Sequence, residues 1–248
     1  MKKLTNPTFL PTFTLTAGII GLALRVWLFF GGMDKKGLII DSHPANILTF
    51  VLTALVLAVI FVSIRPLNAV DRYQQLFPGT RFPAFGCVVA AAGIIWVSFR
   101  DMSQRLDTIT IVSLILGLLA VISLLMLAYC RFNRARPLCY YHAVITVYLM
   151  LHLISQYRLW SGEPQLQIYF FPLLSSVFLM LSAYHSAVLD ARKSGRRWFV
   201  LCNQGALFCC CLSLWGDNWP FYLAMGIWSI SGLCTLETQF PENAAGEE

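Results

Sequence analysis

The sequence predicts an all-α fold: a polytopic transmembrane helix bundle of eight spans, forming a single integral membrane domain over residues 1–248. Three observations carry this. Apolar residues of the AVILMFWYC class make up 58 % of the chain and charged residues only 12 %, against about 25 % charged in soluble domains. The apolar residues come in blocks close to the ~20 residues that cross a bilayer core. These blocks are continuous rather than alternating, which excludes a lipid-embedded β-barrel and leaves helices as the spanning structure.

The spans read, in order, as residues 11–32, 44–64, 82–99, 108–129, 137–159, 168–189, 198–215 and 219–236. Pro11, Pro44, Pro83, Pro137 and Pro220 stand near span starts, where a missing N–H costs least. Trp96, Trp160, Trp198, Trp215 and Trp219 fall near span ends, as an interfacial aromatic belt requires. Only Gly216, Asp217 and Asn218 separate the last two spans, so a seven-span reading that merges or demotes one of them stays open.

Charge sets the expected orientation. With the N-terminus inside, the inner segments hold twelve Lys and Arg residues, in the clusters at Lys2–Lys3, Arg65–Arg81, Arg131–Arg136 and Arg192–Arg197. The outer segments hold five: Lys35, Lys36, Arg100, Arg105 and Arg158. The positive-inside rule then places both termini in the cytoplasm of a bacterial-type cell membrane. This bias also accounts for the net charge of +6 without nucleic acid, for which no aromatic-interleaved basic patch or recognition motif is present. The first apolar run exceeds a signal-peptide core and is expected to stay as an anchor. Between Arg65 and Arg81, Leu67, Val70, Tyr73 and Phe77 recur at helical spacing, marking a short surface brace.

None of the eight cysteines falls in an expected outer loop and no CxxC occurs, so they read as small apolar packing residues rather than disulfides or a metal site. Ala17 with Gly21 and Gly86 with Ala90 form small-xxx-small pairs, the spacing that lets membrane helices approach closely. The run Ala90-Ala91-Ala92-Gly93 makes the third span thin and points to a central position for it.

Polar side chains inside a bilayer are costly and usually face the bundle interior. They concentrate on three consecutive spans. On the fifth, Tyr141, His142, Tyr148, His152 and Gln156 lie within about 120° at 100° per residue. On the sixth, Ser175, Ser182, His185 and Ser186 share an arc. On the seventh, Asn203, Cys210 and Asp217 repeat every seven residues, with Gln204 beside Asn203. Arg25 is the one basic residue well inside a span, and it either snorkels outward, pairs with Asp41, Glu163 or Asp217 at the outer boundary, or binds an anionic ligand.

The candidate ligand-binding residues are therefore Arg25, His142, Tyr148, His152, Gln156, His185, Asn203 and Gln204, set in an inner and an outer cluster along one seam. Zinc-protease, nucleophile-elbow and P-loop motifs are absent. Aspartyl chemistry needs two buried carboxylates and the spans offer none, and Asp190-Ala191-Arg192 stands alone without the further acidic repeats of a metal-dependent phosphotransferase, so no catalytic residue is assigned. The expected role is binding or transport of a small solute along the seam. The alternative is a membrane anchor or scaffold for a protein partner, with haem or quinone as the cofactor that His142 and His185, at similar depth on adjacent spans, would serve.

Overall fold

The computed structural model describes residues 9–33, 39–40, 43–64, 81–104, 107–133, 137–162, 166–191, 196–216 and 218–237. Among them are eight α-helices: α1 Phe9–Gly31, α2 Pro44–Ile64, α3 Arg81–Gln104, α4 Thr108–Phe132, α5 Cys139–Trp160, α6 Phe170–Asp190, α7 Arg196–Leu212 and α8 Trp219–Glu237. A short 3-10 turn, Leu166–Tyr169, leads into α6. Met33 and Ile39 form an isolated bridge. The expected surface brace between Arg65 and Arg81 falls almost wholly outside the described residues, of which Arg81 opens α3.

Among the described residues, five helical segments are long and apolar enough to cross a membrane: Leu10–Gly31, Pro44–Ile64, Arg81–Ser103, Thr108–Phe132 and Phe170–Asp190. They mark the chain as a membrane protein. The outward faces fit that solvent. On α4, Ile111, Ile115, Leu118, Ile122 and Leu125 are all about half exposed at spacings of three and four, so one whole side of this helix offers only hydrocarbon. The last two helices are separate, with a turn over residues 213–216 between them.

Two departures from the expected ends have local causes. Helix α3 continues a turn beyond Phe99, through Arg100 to Gln104. There Arg100 donates to Asn218 Oδ1 at 2.6 Å, which ties the added turn to the start of α8. Helix α7 closes at Leu212, three residues earlier than expected, where the Ser213 N–H turns back to the Cys209 and Cys210 carbonyls.

Consecutive helices pack on one another from α3 to α8, and α8 packs back on α3, closing a ring of six. One core runs through all six members: Ile94, Leu124, Tyr148, Leu179, Cys210 and Phe221 are each at most 1 % exposed and belong to it. Helices α1 and α2 lie outside the ring, against α7 and each other, over a second core that includes Ala17, Val56, Phe171 and Leu207. The central helix is thus α7, which meets α1, α2, α6 and α8, and not α3. The thinness of α3 serves instead its contact with α8. A Cβ on Gly93 would stand 2.5 Å from Ala224 Cβ, and one on Gly86 would overlap Ser231. On α1, Gly21 of the other small pair lies under Leu212 of α7, and Gly18, outside that pair, lies under Cys211.

Several hydroxyls of α1, α2 and α4 are satisfied within their own helix. Thr14, Thr49, Thr53 and Ser123 each donate to the carbonyl four residues back, at 2.7–2.8 Å. Their carbonyl partners keep their main-chain bonds, so each hydroxyl is dispensable. Thr53→Val is expected to change stability by less than about 1 kcal/mol in equilibrium denaturation of the detergent-solubilised protein.

Candidate functional site

Four of the five residues of the polar arc expected on α5 lie together, while Tyr141 is only half-buried. His142, Tyr148, His152 and Gln156 all lie on its buried face, with Ile145, Leu149 and Trp160. They are 1–4 % exposed. The reason is geometric: steps of three and four residues keep a side chain on one face of a 3.6-residue helix. Between His142 and His152, ten residues of helix span about 15 Å, so the arc reaches from one end of the ring toward the other.

At the end where α5 begins and α6 finishes, His142 Nδ1 is hydrogen-bonded to Asp190 Oδ2 at 2.5 Å, with both side chains 1 % exposed. The sequence reading left Asp190 alone at a span end. The structure adds a partner that the sequence did not show, because α6 carries Asp190 to the start of the neighbouring helix α5. The Nε2 atom of His142 is buried and has no hydrogen-bond partner.

His185 does not join this pair. It sits one helical step from buried Ser186, half-buried, with its ring parallel to Trp198 of α7 at 6.3 Å and edge-on to Tyr184 at 5.2 Å. The arc drawn for α6 was too wide by that one position: Ser175, Ser182 and Ser186 are buried and His185 lies to their side. Two rings turned to different neighbours, Asp190 and Trp198, do not make the facing pair that two axial haem ligands require.

Toward the other end, His152 contacts the ring of Phe221 on α8 at 4.9 Å and stacks on Tyr148 at 6.0 Å. Tyr148 reaches across the ring toward Ser98 of α3. A Cβ on Gly117 of α4 would meet both, at 3.2 Å from Tyr148 and 2.9 Å from Ser98. Ser175 and Cys210 approach to 3.2 Å across the α6–α7 contact. Asn203 is 3 % exposed but donates to its own helix at Phe199 O, 2.9 Å away, which makes it a local brace. Its neighbour Gln204 is 1 % exposed with Oε1 unpartnered. Asp217 lies outside the described residues.

Arg25 is 3 % exposed and does not snorkel. Its guanidinium donates to Leu212 O at 3.1 Å and Ile168 O at 2.9 Å, and lies over the rings of Phe29 and Phe171 at 5.4 and 5.0 Å. The expected acidic partners Asp41, Glu163 and Asp217 lie outside the described residues. What it does instead is close the last turn of α7, where carbonyls have no intrahelical donors. Trp160, expected in the interfacial belt, is 8 % exposed and stacks on Tyr169 at 4.5 Å. Trp96, Trp198, Trp215 and Trp219 are exposed as the belt requires.

Among the described residues, the buried side-chain atoms with no hydrogen-bond partner have an uneven distribution. Those of His142, His152, Gln156, Ser182, His185, Gln204, Tyr222 and Ser229 all belong to α5, α6, α7 or α8. Tyr222 and Ser229 escaped the sequence reading, because the flanking Trp, Phe and Leu residues of α8 mask a polar face spaced by seven. No group of three His, Cys, Asp or Glu side chains converges on a metal position among the described residues. Comparison with protein-family models, curated proteins and solved structures gives no match.

Proposed function

We propose that this chain is a multi-pass protein of a bacterial-type cytoplasmic membrane that binds and moves a small solute along the polar interior shared by α5 to α8. The carrying observation is the one-sided set of unpartnered buried polar atoms on those four helices. A buried polar group without a partner costs about 1–3 kcal/mol. Interhelix packing alone does not account for it, since packing polar groups stabilise only when they bond one another. Groups that exchange partners with a passing solute must be free when the solute is elsewhere. Hydroxyls that donate to their own helix occur on both sets of helices, as at Thr53, Thr146, Ser186 and Ser231, so the unpartnered groups among the described residues, rather than polarity as such, distinguish α5 to α8. In this reading α5, α7 and α8 cross the membrane with the five more apolar helices. Their lower hydropathy reflects side chains turned to the interior.

The test is uptake of a broad panel of small solutes into proteoliposomes. His152→Leu combined with Gln204→Leu keeps side-chain volume and removes two of the unpartnered groups. At least a tenfold loss of uptake is expected for any solute the wild type moves, with Thr53→Val unaffected. Equal uptake by wild type and the double variant would remove the basis of the proposal.

A further inference from the structure

Arg81 opens α3 with its side chain exposed. Its guanidinium lies over the ring of Phe132, the last residue of α4, at 5.9 Å from the centroid. Among the described residues it has no hydrogen bond and no acidic partner. Its planar fork of N–H donors is therefore open to an acceptor from outside the bundle. The start of a helix carries partial positive charge, so α3 itself does nothing to balance this cation.

A second arginine stands at the same junction. Arg131 of α4 immediately precedes Phe132 and reaches back to α3, where it donates to Cys87 Sγ at 3.4 Å. Cys87 lies six residues along α3 from Arg81, about 9 Å of helix. Two contacts thus cross the packed pair α3 and α4 at one end and hold both guanidinium groups there. Residues 131–138 carry three arginines and no acidic residue, so the sequence beside the site does not offset the charge. Further along both helices the surface changes character. Phe85 and Val88 of α3 and Met126 and Tyr129 of α4 are 46–64 % exposed, and each is within about two turns of Arg81 or Phe132. Cations at the helix ends thus stand above a strip of exposed hydrocarbon.

We propose that Arg81 and Arg131, where α3 begins and α4 ends, hold the phosphate of an anionic phospholipid whose acyl chains lie along Phe85, Val88, Met126 and Tyr129. The fork of Arg81 matches two phosphate oxygens, and the Phe132 ring steadies the plane of the guanidinium. A free phosphate would meet the cations and leave the apolar strip unused. A phosphatidylcholine would cover the strip and bring a cation of its own against the two arginines. An anionic phospholipid meets both requirements. The site needs no solute and stands apart from the polar interior of α5 to α8.

Native mass spectrometry of the full chain, released from neutral detergent, tests this by counting bound lipid. Phosphatidylglycerol and phosphatidylcholine with the same acyl chains are titrated separately. The wild type should bind phosphatidylglycerol several-fold more tightly. Arg81→Gln should weaken that binding by about fivefold, the order one basic residue contributes at an anionic membrane surface, and leave phosphatidylcholine binding unchanged. Arg158→Gln removes the same charge from an exposed position in the last turn of α5 and should bind phosphatidylglycerol as the wild type does. Arg131→Gln should act in the same direction as Arg81→Gln. Should it not fold, Arg81→Gln decides alone, because that side chain is exposed and bonds nothing described. Equal affinity of the wild type for the two lipids overturns the proposal. So does unchanged phosphatidylglycerol binding in Arg81→Gln or in a folded Arg131→Gln, or an equal loss in Arg158→Gln. Glycerol phosphate without acyl chains, if bound as tightly as phosphatidylglycerol, would assign the arginines to a soluble anion and overturn the lipid site.

Discussion

Asp190→Leu is expected to destabilise the protein by about 3–5 kcal/mol, because it strands the imidazole of His142 in a site 1 % exposed. Nothing else among the described residues bonds that side chain. Asp190 has contacts beyond His142, so the single substitution does not isolate the pair. The double variant His142→Leu with Asp190→Leu does. It strands neither member of the pair, and buried polar pairs replaced by apolar groups of similar volume are commonly neutral or better. Its loss should therefore be smaller than the sum of the single losses by more than about 2 kcal/mol. Equilibrium denaturation of the four proteins in one detergent measures the cycle. Additive losses would mean that the two side chains are neighbours without coupling.

Gly93→Leu is expected to cost about 3 kcal/mol or more by prising α8 from α3. Even a methyl group at this position would meet Ala224 Cβ at 2.5 Å, with the α8 backbone at Phe221 only 3.7 Å off. No rotamer relieves a clash at Cβ, so the helices must separate. The contact between α3 and α8 is the one that closes the six-helix ring, and Phe221 is the residue that meets His152. If the proposed function holds, solute uptake should fail together with stability. The specific check is exchange of the two small residues. Gly93→Ala alone should lose stability, and Gly93→Ala with Ala224→Gly should recover most of it, since total volume at the contact is restored. A Gly93→Ala protein as stable as wild type would contradict the close approach.

Much of the candidate site was legible because helical periodicity is a local property. The steps separating His142, Tyr148, His152 and Gln156 bring all four to one face whatever surrounds the helix, and that face is buried. Where the reading failed, the missing quantity was the identity of a neighbour. His185 is a single residue from buried Ser186, and only the position of Trp198 on α7 decides which side of the arc it serves. Asp190 looked isolated because its partner lies 48 positions away in the chain. Tyr222 shares a single seven-residue step with Ser229, a signal masked by the aromatic and aliphatic neighbours around it in sequence.

By itself the sequence determined that the chain is helical, where its helices lie, and that it belongs in a membrane. Backbone groups in hydrocarbon must bond within their own segment, so the length and apolarity of each run suffice. Helix α2 begins and ends where its apolar run does, at Pro44 and Ile64. Only the tertiary structure decided that α7 is central, that α3 closes on α8 through glycine, and that Arg25 holds carbonyls instead of reaching for solvent. Those outcomes depend on the rotation of each helix about its axis and on which helices become neighbours. Both are set by side-chain fit between segments distant in the chain, a fit that no single run contains.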